Sequence, residues 1–400
     1  MSTAFNKEGL ARMRRTLAGH VEGGNVPGMV SLVSHRGETH VDAFGTLAAG
    51  GEAPMQRDTI FRIASLTKPI TAVAAMILIE ECRMRLDDAI DPWLPELAGR
   101  RVLKAIDAEL DDTVPAQRPI TVRDVLTYRM GFGSVMAPPD TYPIQRAIRE
   151  HRIGGDGPPK PKSAHALDEW LRRLGSLPLM AQPGERWLYN ASGDVLGALV
   201  ARVSGRPLGD FLRERLFEPL RMRDTGFHVP ADKLHRLPLC YFRKPGEDAL
   251  TVFDDAPDSD WNAPPPFESG AGGLVSTVDD CFAFQQMMLS GGRLGSVRIL
   301  SPASVALMTT DQLDAGNRVG ADIFLGDYAG WGLGVAVDIR SREIFQTPGR
   351  FGWTGGLGTT AYTDPARQMI GILFTQRMMD SPEPPRFFSD FWTLAYAAME

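Results

Sequence analysis

Ser65 and Lys68 stand three residues apart in Phe61-Arg-Ile-Ala-Ser-Leu-Thr-Lys-Pro-Ile-Thr-Ala72, at the entry to an apolar stretch from Ile70 to Glu81 that reads as a helix. On a helix, positions i and i+3 share a face with Cβ atoms about 5–6 Å apart, so a lysine nitrogen at 68 reaches a hydroxyl at 65. A serine hydroxyl is a poor nucleophile until a base takes its proton. A lysine can be that base only when burial lowers it from its ordinary ~10.4, or when a second group shares the proton. The N-terminal end of a helix also favours negative charge developing at Ser65. The blander reading of the same pair is a capping serine followed by a solvated lysine.

Two further segments carry chemistry-bearing residues. In Gln182-Pro-Gly-Glu-Arg-Trp-Leu-Tyr-Asn-Ala-Ser-Gly-Asp-Val-Leu-Gly197, a Pro183-Gly184 turn puts Tyr189 on a loop ahead of a helix, from which a phenol can enter a cleft. A phenolate beside an ammonium is a competent general base, although a lone tyrosine is more often a buried ring with one hydrogen bond. In Phe351-Gly-Trp-Thr-Gly-Gly-Leu-Gly-Thr359, four glycines and an indole close a strand. Glycines admit close backbone approach, so their N–H groups can serve as oxyanion donors, against the plainer reading of a bulged strand end.

These segments need a scaffold. Val30 to Phe44 reads as a hairpin about Gly37, and Trp331 to Ile339, Arg342 to Trp353 and Gly358 to Arg377 (with an Asp364-Pro365 turn) read as strands. Between the two ends the pattern is helical: Ile70 to Glu81, Ala166 to Leu174, Val195 to Val203, Leu208 to Leu216 and Val278 to Leu289, with Arg386 to Ala398 as a last helix. Arg152 to Ser163 and Lys244 to Phe267 are Gly/Pro-rich loops. The expectation is a discontinuous α/β (α+β) fold with a sheet contributed by both termini. Residues 1–60 and 320–400 would form the sheet domain, and 61–319 an inserted, mostly helical domain, with the cleft where they meet.

Composition removes other classes. Among 400 residues, 43 Lys plus Arg against 49 Asp plus Glu give a net charge of −6, with no basic block to mark a nucleic-acid or anionic-membrane partner. No apolar run approaches ~18 residues. The N-terminal segment is charged throughout, without the apolar stretch of a secretion signal, so a cytoplasmic location is expected. Cys82, Cys240 and Cys281 are far apart, and the seven histidines lack metal-ligand spacing, so neither a disulfide framework nor a metal site is written. Gly356-Leu-Gly-Thr-Thr-Ala361 formally fits a dinucleotide pattern, but a strand follows it where a helix is needed.

Taken in order, the three segments resemble the serine β-lactamase and penicillin-binding-protein superfamily, in its class C-like branch, which implies a β-lactamase/transpeptidase-like fold with an antiparallel sheet built from both termini and flanked by helices. The resemblance runs from about Val26 to Gln376 and includes Leu86 to Asp91, Thr121 to Thr127 and Gly270 to Asp280. The lactamases carry Y-x-N and K-T-G as second and third motifs. Here Ala191 stands two after Tyr189, with Asn190 one place early, and Trp353 takes the place of the third-motif lysine. An indole removes the charge partner that would hold a β-lactam carboxylate and adds an apolar wall.

The same departures are similar to family VIII carboxylesterases, with their W-x-G motif, and to 6-aminohexanoate-oligomer hydrolases. The resemblance implies a serine carboxylic-ester hydrolase on small to medium acyl esters, working through an acyl-enzyme and without a cofactor. Ser65 would be nucleophile, with Lys68 and Tyr189 removing and relaying its proton. The N–H groups of Ser65 and Gly356 would form the oxyanion hole, Tyr128, Trp353 and Gly355 would contact substrate, and Asp194 would steady the Tyr189 loop. A β-lactamase or D-Ala peptidase, an acyltransferase and an amidase on short oligoamides would use the same site. The expected partner is a small-molecule ester or amide; oligomeric state is not written in the sequence.

Overall fold

The computed structural model describes residues 4–154, 158–244, 246–256 and 258–400. Its centre is a seven-stranded antiparallel sheet of β1 (Gly28–His35), β2 (Glu38–Gly45), β3 (Ala329–Trp331), β4 (Ala336–Asp338), β5 (Phe351–Gly355), β6 (Thr359–Asp364) and β7 (Met369–Thr375). The order is β3-β4-β5-β6-β7-β1-β2, so the N-terminal hairpin completes a sheet otherwise made by the C-terminal strands.

Period-two alternation explains why both faces are covered. In β1, Met29 and Val33 face one layer while Val30 and Leu32 face the other. The β7 partners follow the same rule, with Val30 opposite Phe374 and Leu32 opposite Ile372. One face packs on α1 (Lys7–Glu22) and the C-terminal helix Arg386–Ala397 through Met13, Leu17, Phe388 and Phe391. The other face joins the large core that holds α2 (Thr67–Glu80), α3 (Val122–Leu126), α4 (Pro143–His151), α5 (Leu167–Ser176), α6 (Ala191–Ser204) and α7 (Val278–Leu289). Every residue of α2 from Thr67 to Leu78 is buried, as expected for a helix apolar on all sides.

Several boundaries differ from the sequence reading for local reasons. Trp331 to Ile339 is not one strand: β3 and β4 pair with each other across a turn in which Gly334 has φ +77°. Of Arg342 to Trp353 only the end is extended, because Pro348-Gly349, with φ +88° at the glycine, breaks the run. The Leu208 helix passes into a π-turn at Arg213–Phe217. The loop from Lys244 contains a strand, Leu250–Asp254, paired with Cys240–Arg243; Pro245, Pro257 and residues 155–157 of the two expected loops lie outside the described residues. Among the described residues, no helix is long and apolar enough to cross a membrane.

Candidate active site

Ser65 does not sit on the first turn of α2 but on a single 3-10 turn, Ala64–Leu66, that leads into it. Ala64 holds φ +44°, a left-handed conformation that costs a non-glycine residue about 1–3 kcal/mol. The end of β5 presses on this turn: a Cβ on Gly355 would lie 2.3 Å from the Ile63 carbonyl, so only glycine fits. Thr359 Oγ1 donates to that same carbonyl at 3.0 Å. The neighbouring Gly356 is exposed, and a Cβ there would meet nothing within 4 Å.

Ser65 Oγ lies 2.9 Å from Lys68 Nζ and 2.9 Å from the Tyr189 hydroxyl. Lys68 is buried, and its nitrogen also donates to Asn190 Oδ1 at 2.9 Å and to the Ala271 carbonyl at 2.6 Å. Burial pulls Lys68 down to about 7, against the opposing pull of Asp194. Burial pushes Tyr189 up to about 12, despite its bonds to Ser65 and Trp353.

These partners fix the direction of the protons. Two of the three Lys68 neighbours are carbonyl oxygens and only accept, so a neutral amine spends both N–H groups on them and turns its lone pair to Ser65. At the other end, Trp353 Nε1 stands 2.8 Å from the Tyr189 oxygen, and an indole only donates. The chain therefore runs from Trp353 N–H to Tyr189, from Tyr189 O–H to Ser65, and from Ser65 O–H to Lys68. In this arrangement Lys68 is placed to accept the Ser65 proton and Tyr189 to donate to Ser65, a sharper division than joint removal and relay.

The aromatic setting holds the phenol in place. The Tyr189 ring packs on Phe324, Trp353 and Trp187 with centroids at 4.4, 5.6 and 5.7 Å. Tyr128 does not line the cleft as expected: it is 1% exposed and stacks behind Tyr189 at 6.4 Å. Its φ of +60° turns the ring inward, which makes it a support for the phenol. Trp353 is 6% exposed and braced edge-on by Trp331 at 4.9 Å. Asp194 also departs from expectation. Its Oδ1 accepts from Ser269 Oγ at 2.5 Å and from Ala271 N–H at 3.1 Å, not from the Tyr189 loop. That loop is held instead by Asn317, whose Nδ2 donates to the Gly184 and Glu185 carbonyls and whose own carbonyl accepts from Trp187 N–H.

Asn190, Ser269 and Ala271 were not assigned roles by motif reading. Asn190 has φ +79° and ψ −67°, and Ala191 N–H bonds to the Tyr189 carbonyl at 3.3 Å across it. This is the rare γ-turn of positive φ. It shortens the path from the phenol, so the Asn at +1 reaches the lysine although the motif has it one position early. Beyond Asn190 a cavity of about 320 Å³ opens, lined by Phe132, Val135, Ile148, Ile153, Ala191 and Asp194 among others.

Residues 13–388 match the family model described as Beta-lactamase. The chain belongs to the Beta-lactamase family. Within it, the chain is 38% identical to Protein Rv1367c of Mycobacterium tuberculosis over 367 residues, 90% of this chain and 88% of that protein. It is 28% identical to Esterase EstB of Burkholderia gladioli, over 90% of this chain and 88% of the relative. Among solved structures, it superposes on EstCE1, described as a hydrolase with promiscuous acyltransferase activity, with TM-score 0.80 and 26% identity over 97% of this chain and 99% of that one. The β-lactamase/transpeptidase-like fold expected from the motifs is the fold observed, with helices about a large antiparallel sheet.

Proposed function

We propose that this member of the family is a serine carboxylic-ester hydrolase. The observation that carries the reading is Ser65 Oγ at 2.9 Å from both a buried lysine nitrogen and a phenol. In acylation, Ser65 Oγ bonds to the acyl carbon as Lys68 takes its proton. The resulting oxyanion is met by the N–H groups of Ser65 and Gly356, a contribution of about 10²–10³ in rate per donor. The C–O bond of the ester then breaks, and the leaving alkoxide takes a proton through Tyr189, which is replenished from Lys68. Water repeats the sequence on the acyl-enzyme and frees Ser65.

Three features support an ester in preference to a β-lactam. Trp353 supplies an apolar wall where the lactamase motif has an ammonium, and its only polar atom is spent on Tyr189. The cavity beside Asn190 is lined mainly by apolar groups and suits a small to medium acyl group. The relatives EstB and EstCE1 carry esterase and hydrolase names. Acyl transfer to an alcohol is the second reading, favoured by the acyltransferase activity in the EstCE1 description; it differs only in what attacks the acyl-enzyme.

The test is hydrolysis of p-nitrophenyl esters from acetate to octanoate beside the chromogenic cephalosporin nitrocefin, on wild type and Ser65→Ala. Ester cleavage lost in Ser65→Ala, with little nitrocefin turnover, is the expected result. Strong nitrocefin turnover would reverse the preference, and a release rate that rises with added alcohol would favour transfer.

A further inference from the structure

We propose that Asp194 is a positioning residue for Lys68, holding the Ala271 peptide that Lys68 bonds and supplying the negative charge that governs how readily Lys68 accepts the Ser65 proton. The proposal rests on the reading of Lys68 as base. Its geometry is a relay through one peptide unit: Asp194 Oδ1 takes the Ala271 N–H at 3.1 Å, and the Ala271 carbonyl takes a Lys68 N–H at 2.6 Å. Ser269 Oγ, donating to the same Oδ1 at 2.5 Å, in turn accepts from Gly272 N–H at 3.1 Å, so the carboxylate organises the whole turn. Close approach makes the contact stiff. A Cβ on Gly193 would lie 2.9 Å from Ala271 Cα, and one on Gly270 2.5 Å from the Gly193 carbonyl. Asn190, which directly precedes α6, supplies the other carbonyl that Lys68 bonds. The start of this one helix therefore controls both obligate acceptors of the base.

The electrostatic part follows from what else faces Lys68. Ser65 and Tyr189 are neutral hydroxyls, Tyr128 is a neutral phenol behind them, and Asn190 and Ala271 present dipoles. Asp140 and Arg149 line the outer part of the adjoining cavity but are paired to each other and exposed. Asp194, one peptide unit from Lys68 through Ala271, is the carboxyl group that acts on it; burial pushes that carboxyl up, against the lowering pull of its bonds from Ser269 and Ala271 and of Lys68. An opposite charge close to a buried amine favours its protonated form, so Asp194 stabilises the ammonium that forms when Ser65 is deprotonated.

The experiment measures the pH dependence of Ser65 phosphonylation by a fluorophosphonate ester, followed by intact mass. The Oγ–P bond forms, the P–F bond breaks, fluoride leaves and the proton passes to Lys68, so only the activated serine is needed. The limb is therefore read whatever the natural acyl donor or acceptor, and a failure of the ester reading would show separately as absent p-nitrophenyl ester turnover. Asp194→Asn removes the charge at constant size and is expected to move the acid limb down by about 1–3 pH units while lowering the plateau. Ser269→Ala keeps the charge but releases the turn, and is expected to lower the plateau with the limb held near that of wild type. A folded Asp194→Asn with an unmoved limb would overturn the charge role. Wild-type rates in Ser269→Ala at every pH would overturn the positioning role.

Discussion

Tyr189→Phe separates the two candidate bases. With Lys68 near 7, the free amine is about 1% of the population at pH 5, half at pH 7 and about 90% at pH 8, so wild-type kcat/KM should rise tenfold per pH unit below 7 and level above 8. With Tyr189 near 12, a phenolate base would be only about 10⁻⁵ populated at pH 7, and the rate would climb through pH 10 without a plateau. Phenylalanine keeps the ring contacts with Phe324, Trp187 and Tyr128 but removes the donor to Ser65 and the acceptor of the Trp353 N–H. The expected result is a plateau lower by about 10²–10⁴, the range of a lost acid–base group, with the acid limb still near 7. The assay is p-nitrophenyl butyrate hydrolysis at constant ionic strength from pH 5 to 10, read at the isosbestic wavelength of the product. A wild-type profile still rising between pH 8 and 10, or a Tyr189→Phe profile without the limb, would refute the assignment of Lys68 as base.

Trp353→Phe should lower kcat by about 5- to 160-fold, the equivalent of about 1–3 kcal/mol for one buried donor, with an unchanged acid limb; a change confined to KM in steady-state kinetics would make the indole a wall only. Gly356→Ala should be nearly silent because nothing lies near its Cβ, whereas Gly356→Pro, which deletes the N–H, should cost about 10²–10³ in kcat; equal rates for the two would remove Gly356 from the oxyanion hole. Ala191→Leu narrows the cavity and should shift preference from octanoate toward acetate esters, at up to about 0.8 kcal/mol per methylene no longer buried; an unchanged chain-length profile would place the acyl group elsewhere.

The sheet was legible where alternation is strong and unlegible where close packing replaces it. The hairpin of β1 and β2 flanks a clear turn at Gly37, the strand β7 is an almost continuous apolar run, and their register follows from which side of the pleat the apolar residues occupy. β3 and β4 are three residues each, too short for an alternating pattern to show, and are fixed by each other across the Gly334 turn and by the buried pair of Asp338 with Arg350. α1 and α4 escaped for a related reason. Each is rich in charge, and each owes its place to one narrow stripe: Met13 and Leu17 against the C-terminal helix, Ile144 and Ala147 against the helical core.

At the site, the residues that perform chemistry carry it in their side-chain type, so Ser65, Lys68 and Tyr189 are readable from spacing. The groups that orient them act through backbone or through conformation. Ala271 contributes a carbonyl that any residue has, and only the grip of Asp194 and the glycines beside it make that carbonyl available. Asn190 is the instructive case. Measured by motif register it stands one residue too early, and on an ordinary helical or extended backbone its amide would point away from the lysine. The γ-turn at φ +79° cancels that offset, and the strain of holding it is met by the bond from Ser134 N–H to the Tyr189 carbonyl and by the start of α6 immediately after. A residue tolerant of positive φ and carrying an acceptor was therefore required at position 190, and asparagine is the side chain that meets both demands at once. The missing Asn at +2 and the Asn at +1 are then one adaptation: the acceptor that aims Lys68 at Ser65 has been kept by altering the backbone that presents it.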